Sequence, residues 1–260
     1  MSLTFNAPPV TEVSLGRTFI ARPDFLVPHF GGFWSEVRSE FPKVEHAAPI
    51  VTPGETVDSA DQGQFWLPRV WFISEDSTRL VQLQQNRYHF NWRQQPHAPA
   101  YIRFQAIQEC ALRLWERLDK YVQRELEQPL VALSNELTYT NLIDGREGES
   151  AFAIAQRALR DVSWAAGPRL LPTPKQVSLS AVFPIPGDFG ELTMMVSSGR
   201  RSNGRDIVKL DLTAKGSGPK GTSFSEWSQS AHDFLISSFK DMTTPEMHSA
   251  WQLSEESNGQ

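Results

Sequence analysis

The longest periodic segment of the chain, Tyr101 to Glu127, constrains its fold more than any other stretch. Phe104, Ile107, Ala111, Leu114, Leu118 and Tyr121 recur at steps of three and four, so they share one helical face. Glu109, Arg113, Glu116, Arg117, Lys120 and Arg124 fall mostly off that face. Pro99 before it and Pro129 after it mark boundaries. A helix of this length is roughly 40 Å long and crosses a whole sheet. β-like segments flank it in sequence on both sides.

Upstream, Pro8-Pro9 suits an extended lead-in, and Val13, Leu15, Arg17 and Phe19 alternate as a strand whose apolar face Arg17 interrupts. Pro23-Asp24 opens a helix with the stripe Phe30, Phe33, Trp34, Val37 and Phe41, stopped by Pro42. Gly31-Gly32 inside it signals either close approach to a neighbour or a weak first turn. Residues 43–64 have no period and read as a surface loop. Short strands follow at Arg69–Glu75, Thr78–Gln85 and Tyr88–Trp92. Apolar parity flips between Leu83 and Tyr88, so a turn or bulge is required at Gln85-Asn86-Arg87.

Beyond the long helix, Leu130–Ile143 reads as a strand and Ala151–Val162 as a helix. Strands then follow around Val177–Phe183, Leu192–Val196 and Val208–Leu212. Ser223 and Glu226 form a capping-box pattern before a helix with the stripe Phe224, Trp227, Ala231, Phe234 and Ser238. Thr244-Pro245 starts a short terminal helix, and the tail from Ser254 is expected to fray. The class is α+β, with predominantly antiparallel sheet and helices packed on one face. The first part has the ferredoxin-like order β-α-β-β-α-β. The expected division is an α+β half, 1–165, and a meander with C-terminal helices, 166–260, packed as one unit.

The spaced words Pro-Pro-Val-Thr-Glu-Val at 8–13, Phe41-Pro42, Gln82 to Arg93 (Gln-Leu-Gln-Gln-Asn-Arg-Tyr-His-Phe-Asn-Trp-Arg), Tyr101-x-x-Phe104, Thr138 to Ile143 and His232 to Phe239 carry a resemblance. Together they resemble a sporadically distributed family of uncharacterised bacterial proteins of similar length. The resemblance covers nearly the whole chain. It implies a bacterial cytoplasmic protein with no assigned activity. Its patchy occurrence is similar to that of accessory genes, including toxin-immunity and defence loci.

Charged residues make up 21% of the chain and the net charge is -5, which disfavours general nucleic-acid binding. The single cysteine, Cys110, excludes an intrachain disulfide and a multi-cysteine zinc site, and its place beside the helical stripe suggests burial. No leader peptide or apolar run of membrane-spanning length stands out, so a cytoplasmic protein without a membrane partner is expected. No Walker A, Gly-x-Gly-x-x-Gly, Gly-x-Ser-x-Gly or His-Glu-x-x-His motif occurs. The histidines lack metal-ligand spacing. No catalytic residue, metal or cofactor is assigned, and a non-enzymatic protein is the expectation.

The most function-like constellation surrounds the parity break, where Gln82, Gln84, Arg87, His89, Asn91 and Arg93 alternate with Leu83, Tyr88, Phe90 and Trp92. Such a face lines a groove or meets a partner, or is simply a solvated sheet face. The binding candidates are Glu12, Arg17, Arg87, Asn91, Arg93 and Asn141. Arg200, Arg201 and Arg205 form a basic loop that would hold phosphate or RNA backbone, or stay as solvated turn charges. The leading expectation is a binding or accessory protein that engages a protein partner by a sheet face or edge. The alternative is a small-ligand protein or unrecognised enzyme with a pocket near Glu12, Arg93 and Asn141.

Overall fold

The computed structural model describes residues 2–50, 67–96, 101–165 and 167–256. Among them the elements run β1 (Ser2–Phe5), β2 (Val10–Phe19), α1 (Val27–Val37), β3 (Lys43–Ala47), β4 (Arg69–Ile73), β5 (Arg79–Gln84), β6 (Arg87–Arg93), α2 (Phe104–Leu126) and β7 (Ala132–Asp144). They continue with α3 (Ala151–Ala158), β8 (Ser178–Ile185), β9 (Gly190–Arg200), β10 (Asp206–Gly216), α4 (Phe224–Met242), α5 (Pro245–Ala250) and β11 (Leu253–Glu256). Nine strands hydrogen-bond in the order β3-β4-β5-β6-β2-β7-β10-β9-β8, and β1 pairs with β11. The chain is α+β, as the alternating patterns imply.

Two compact units are present, Ser14–Glu136 and Met1–Val13 with Leu137–Gln260. The chain passes between them within β2 and again within β7. The Pro168–Pro174 connection lies inside the second of these units.

In the unit Ser14–Glu136, strands β3 to β6 form an antiparallel meander. The parity break is a two-residue hairpin turn: Gln84 pairs with Arg87 and Gln85-Asn86 makes the turn. The periodic stripe of α2 is buried along Phe104, Ile107, Ala111, Leu114, Leu118 and Tyr121. Its helix starts at Phe104 rather than Tyr101, after Arg103 at φ 71°, and ends on Glu127 in the left-handed region. Pro99 lies outside the described residues. Tyr88 donates its hydroxyl hydrogen bond to the Ala111 carbonyl at 2.8 Å and its ring meets Trp115 at 5.6 Å, which fixes β6 under α2. Gly32 is the close-approach glycine of α1, since a Cβ there would stand 2.1 Å from the Tyr121 hydroxyl, while Gly31 faces open space. Cys110 is half-buried rather than buried.

Two expectations fail here. Residues 43–47 are not loop but strand β3, paired with β4 from Lys43↔Ile73 to Ala47↔Arg69. Its residues are almost all exposed, so no apolar alternation marks it. Residues 51–64 of the expected loop lie outside the described residues. With β3 present, four strands separate α1 from α2, so the bare β-α-β-β-α-β order is not reproduced.

In the other unit, β8, β9 and β10 form the expected meander. The Ser223–Glu226 capping box opens α4, whose Trp227 is fully buried. The tail does not fray from Ser254: β11 pairs with β1 from Leu253↔Phe5 to Glu256↔Ser2. Phe5, Phe239 and Trp251 pack beneath that pair, with ring centroids 5.1 Å apart for Phe5–Phe239 and for Phe239–Trp251. Strand β1 has no local signature because, among the described residues, it pairs only with β11, about 250 residues away in the chain.

Candidate functional site

The polar residues at the parity break do share a face. Opposed residues of an antiparallel ladder point the same way. The pairs Trp71↔Gln82, Gln82↔His89, Gln84↔Arg87 and Leu80↔Asn91 therefore place Arg69 and Trp71 of β4, Gln82 and Gln84 of β5, and Arg87, His89, Asn91 and Arg93 of β6 on one side. Tyr88, Phe90 and Trp92 point to the other side, toward the helices, and are buried.

This polar face is not solvated. Gln84, Arg87, His89 and Asn91 are between 1% and 6% exposed. Gln84 holds the chain at Ile50 in both directions, accepting from its N–H at 2.9 Å and donating to its carbonyl at 3.0 Å. It also donates to Asn86 Oδ1 at 2.9 Å. Gln82 Nε2 donates to Asn91 Oδ1 at 2.8 Å. His89 Nδ1 lies 3.3 Å from Ser14 Oγ on β2. Buried polar groups are costly unless satisfied, so a connected network of this kind fixes the strand register as well as the side chains.

Trp71 is the centre of the more open end. The guanidinium carbon of Arg69 lies 5.4 Å from its ring centroid and that of Arg93 5.8 Å. Nothing in the sequence marks Trp71 or Arg69 as part of this face, because Val70 to Ile73 reads as an unbroken apolar run without parity.

The other binding candidates go elsewhere. Arg17 sits on the opposite face of β2, where its Nε donates to Asn135 Oδ1 at 2.8 Å and its guanidinium stacks 4.9 Å from Trp115. Burial pushes its pKa down and Asp119 partly opposes that. Arg17 thus satisfies a buried asparagine beneath α2 and does not reach the polar face. Asn141 is buried and donates to the Leu210 carbonyl at 3.2 Å, tying β7 to β10. Glu12 is half-buried on β2 and belongs, with Asn141, to the unit that does not contain Arg93. Arg87, Asn91 and Arg93 are the three candidates that the structure brings onto one surface.

Arg200 and Arg201 are held by acids: Arg200 Nε meets Asp206 at 3.0 Å, and Arg201 forms a two-pronged pair with Asp144 at 2.8 and 3.1 Å. Arg205 is exposed at the loop end. Two of the three loop arginines are thereby neutralised locally, which removes most of the phosphate-binding character of the loop.

A second feature is the edge strand β8. Among the described residues it pairs on one side only, with β9. Its sequence, Ser-Leu-Ser-Ala-Val-Phe-Pro-Ile, holds no charge over eight residues. Val182 is 57% exposed, Phe183 39% and Leu179 36%, and Met195 beside it on β9 is 52% exposed. Leu179 and Phe183 pair with Val196 and Leu192, which are buried. The apolar layer of this face therefore continues onto an uncovered edge.

The described portion is an α+β protein with a buried polar sheet face and an uncharged open edge. No helix among the described residues is long and apolar enough to cross a membrane. No protein-family model matches the chain, and no curated protein matches it.

Proposed function

We propose that this is a non-enzymatic binding protein that engages a protein partner by strand addition at β8. The observation that carries the reading is the uncharged, eight-residue edge with Leu179, Val182 and Phe183 exposed. Edge strands are ordinarily blunted by charge, brevity or cover, because their free N–H and C=O groups template pairing. The edge strand β3 follows that rule with five residues including Lys43 and Glu45. β8 has only Pro184 as a local guard. An extended apolar segment of a partner would meet both its backbone groups and its exposed apolar side chains there. Leu170 and Leu171, 98% and 64% exposed in the connection leading to β8, add apolar surface to the same unit. The resemblance to patchily distributed bacterial proteins is in keeping with a partnered accessory role, such as a toxin-immunity or defence locus.

A photo-crosslinking residue at position 182 tests this in the native host. The expected result is one discrete protein adduct, lost when Phe183→Lys is added. A crosslinker at Lys120, an exposed position on α2, should not give it. The same adducts from both positions, or none from 182, would remove the proposal. An adduct made only of a second copy would replace the partner with self-association.

A further inference from the structure

A cavity of about 220 Å³ opens between α1 and the edge of the sheet. On the helix it is lined by Val27, Phe30, Gly31 and Trp34, whose spacing puts them on one helical face. On the sheet it is lined by Val44 and His46 of β3 and by their direct cross-strand partners on β4, Phe72 and Val70, so these four side chains point the same way. The space exists because α1 is tied to α2 instead. Gly32 lies against the Tyr121 hydroxyl, the Phe33 ring stands 5.8 Å from that of Tyr121, and Arg124 pairs with Glu36. Val27 on the helix and Val44 on the edge strand are 64% and 41% exposed, so the cavity has a mouth to solvent between them.

Gly31 is the lining residue that packing does not account for. A Cβ there would have nothing within 4 Å, and its place on the stripe aims that Cβ into the cavity. Glycine weakens a helix interior relative to alanine, and an unfilled space forfeits contacts for every side chain around it. A guest molecule recovers those contacts, and the lining limits what the guest is. No Lys, Arg, Asp or Glu among the described residues lines the cavity, so an ion that entered would lose its hydration without compensation. Trp34 gives its indole N–H to the Phe41 carbonyl at 3.0 Å, which leaves its ring as apolar surface. Phe30, Trp34 and Phe72 together present three aromatic rings, which favour a flat aromatic guest through edge-to-face and offset contacts. An apolar cavity of roughly 150 Å³ takes up benzene, and 220 Å³ admits a somewhat larger ring system. His46, exposed on β3, offers a hydrogen bond from the strand side. We infer that the cavity between α1 and the β3–β4 pair binds a small neutral aromatic molecule of about indole size, with its ring among Phe30, Trp34 and Phe72 and its one polar group turned to His46. The site lies within the unit Ser14–Glu136 and does not depend on strand addition at β8.

The test is a titration of the full chain with indole, read on the Trp34 indole N–H signal in a proton–nitrogen correlation spectrum in which only the protein is labelled. Trp34→Phe assigns the signal. Indole should shift it saturably. Gly31→Leu, which fills the space from the helix, should weaken the binding at least about tenfold while the variant melts no lower than the native chain. Gly31→Ala, the smaller intrusion, should weaken it several-fold. Benzoate, aromatic but charged, and hexanol, apolar but without a ring, should both bind more weakly than indole. His46→Ala should weaken indole and leave N-methylindole, which has no N–H, unchanged. Phe183→Lys on β8 should alter none of this. No saturable shift up to the solubility limit of indole would overturn the site. So would undiminished affinity in a folded Gly31→Leu protein or, should leucine unfold α1, in Gly31→Ala. Benzoate or hexanol binding as tightly as indole would overturn the assignment to a neutral aromatic, and an equal effect of His46→Ala on both indoles would overturn the placement of the polar group. Near-ultraviolet circular dichroism establishes that each variant retains its packing.

Discussion

The imidazole of His89 lies directly over the backbone of Gly16: a Cβ built on Gly16 would stand 2.6 Å from both Cγ and Nδ1 of the ring, and 2.2 Å from the Tyr88 carbonyl oxygen. This contact seats the polar face of β6 against β2. It also explains why the middle position of an otherwise regular strand is a glycine, at a cost in intrinsic strand stability.

Gly16→Ala should therefore destabilise the protein by about 2–3 kcal/mol, through forced displacement of well-packed neighbours. In a His89→Ala background the cost should fall but not vanish, since the backbone oxygen of Tyr88 stays in place. Urea unfolding of the four proteins of that double-mutant cycle gives both quantities.

Adjacent glycines of α1 should respond with opposite signs. Gly31 has nothing within 4 Å of the place its Cβ would take, so Gly31→Ala gains helix propensity and should stabilise by about 0.5–1 kcal/mol. Gly32→Ala meets the Tyr121 hydroxyl at 2.1 Å and should destabilise. Tyr121→Phe removes that oxygen and should recover a large part of the loss. Thermal melts of the two alanine variants decide the signs.

His232 is held neutral. Its Nδ1 lies 2.8 Å from the Tyr139 hydroxyl, and burial lowers its pKa to about 4. The folded value lies below the unfolded value of about 6.5, so the unfolded chain takes up the proton first. Stability should be independent of this group above pH ~6.5 and should fall as the pH drops from there toward 4, by at most ~3 kcal/mol. Denaturant unfolding between pH 6.5 and 5 should show that slope in the native sequence and a shallower one in His232→Gln.

The Arg157–Glu149 pair anchors the start of α3, with both side chains 13% exposed and two guanidinium–carboxylate hydrogen bonds at 2.8 and 2.9 Å. The hydrogen bond from Arg157 lowers the Glu149 pKa. Glu149→Gln should cost about 1–2 kcal/mol at neutral pH. That stabilisation is present above the unfolded carboxylate value of about 4.3 and is lost as pH falls through the lower folded value. The stability difference between the two proteins should accordingly shrink in acid, as followed by unfolding at pH 7 and pH 3.

Local physics written in the chain determined the periodic and capped elements. The α2 stripe, the Ser223–Glu226 box, the Gly-rich turns of the meander and the parity break at Gln85-Asn86 all record contacts between near neighbours in sequence. Strands β1, β3 and β11 left no such record, because their hydrogen bonds go to distant partners and, in β3, the side chains are almost all exposed. The alternation of Gln82 to Arg93 predicted a polar face, but an alternating polar row reads the same whether water or protein covers it. Only the tertiary structure decided that Arg87, His89 and Asn91 are buried there, that Trp71 joins them from β4, and that Arg17 turns away to Asn135. Side-chain parity fixes which residues share one strand face; which strand lies beside it, and what lies above it, depends on pairings between residues far apart in the chain.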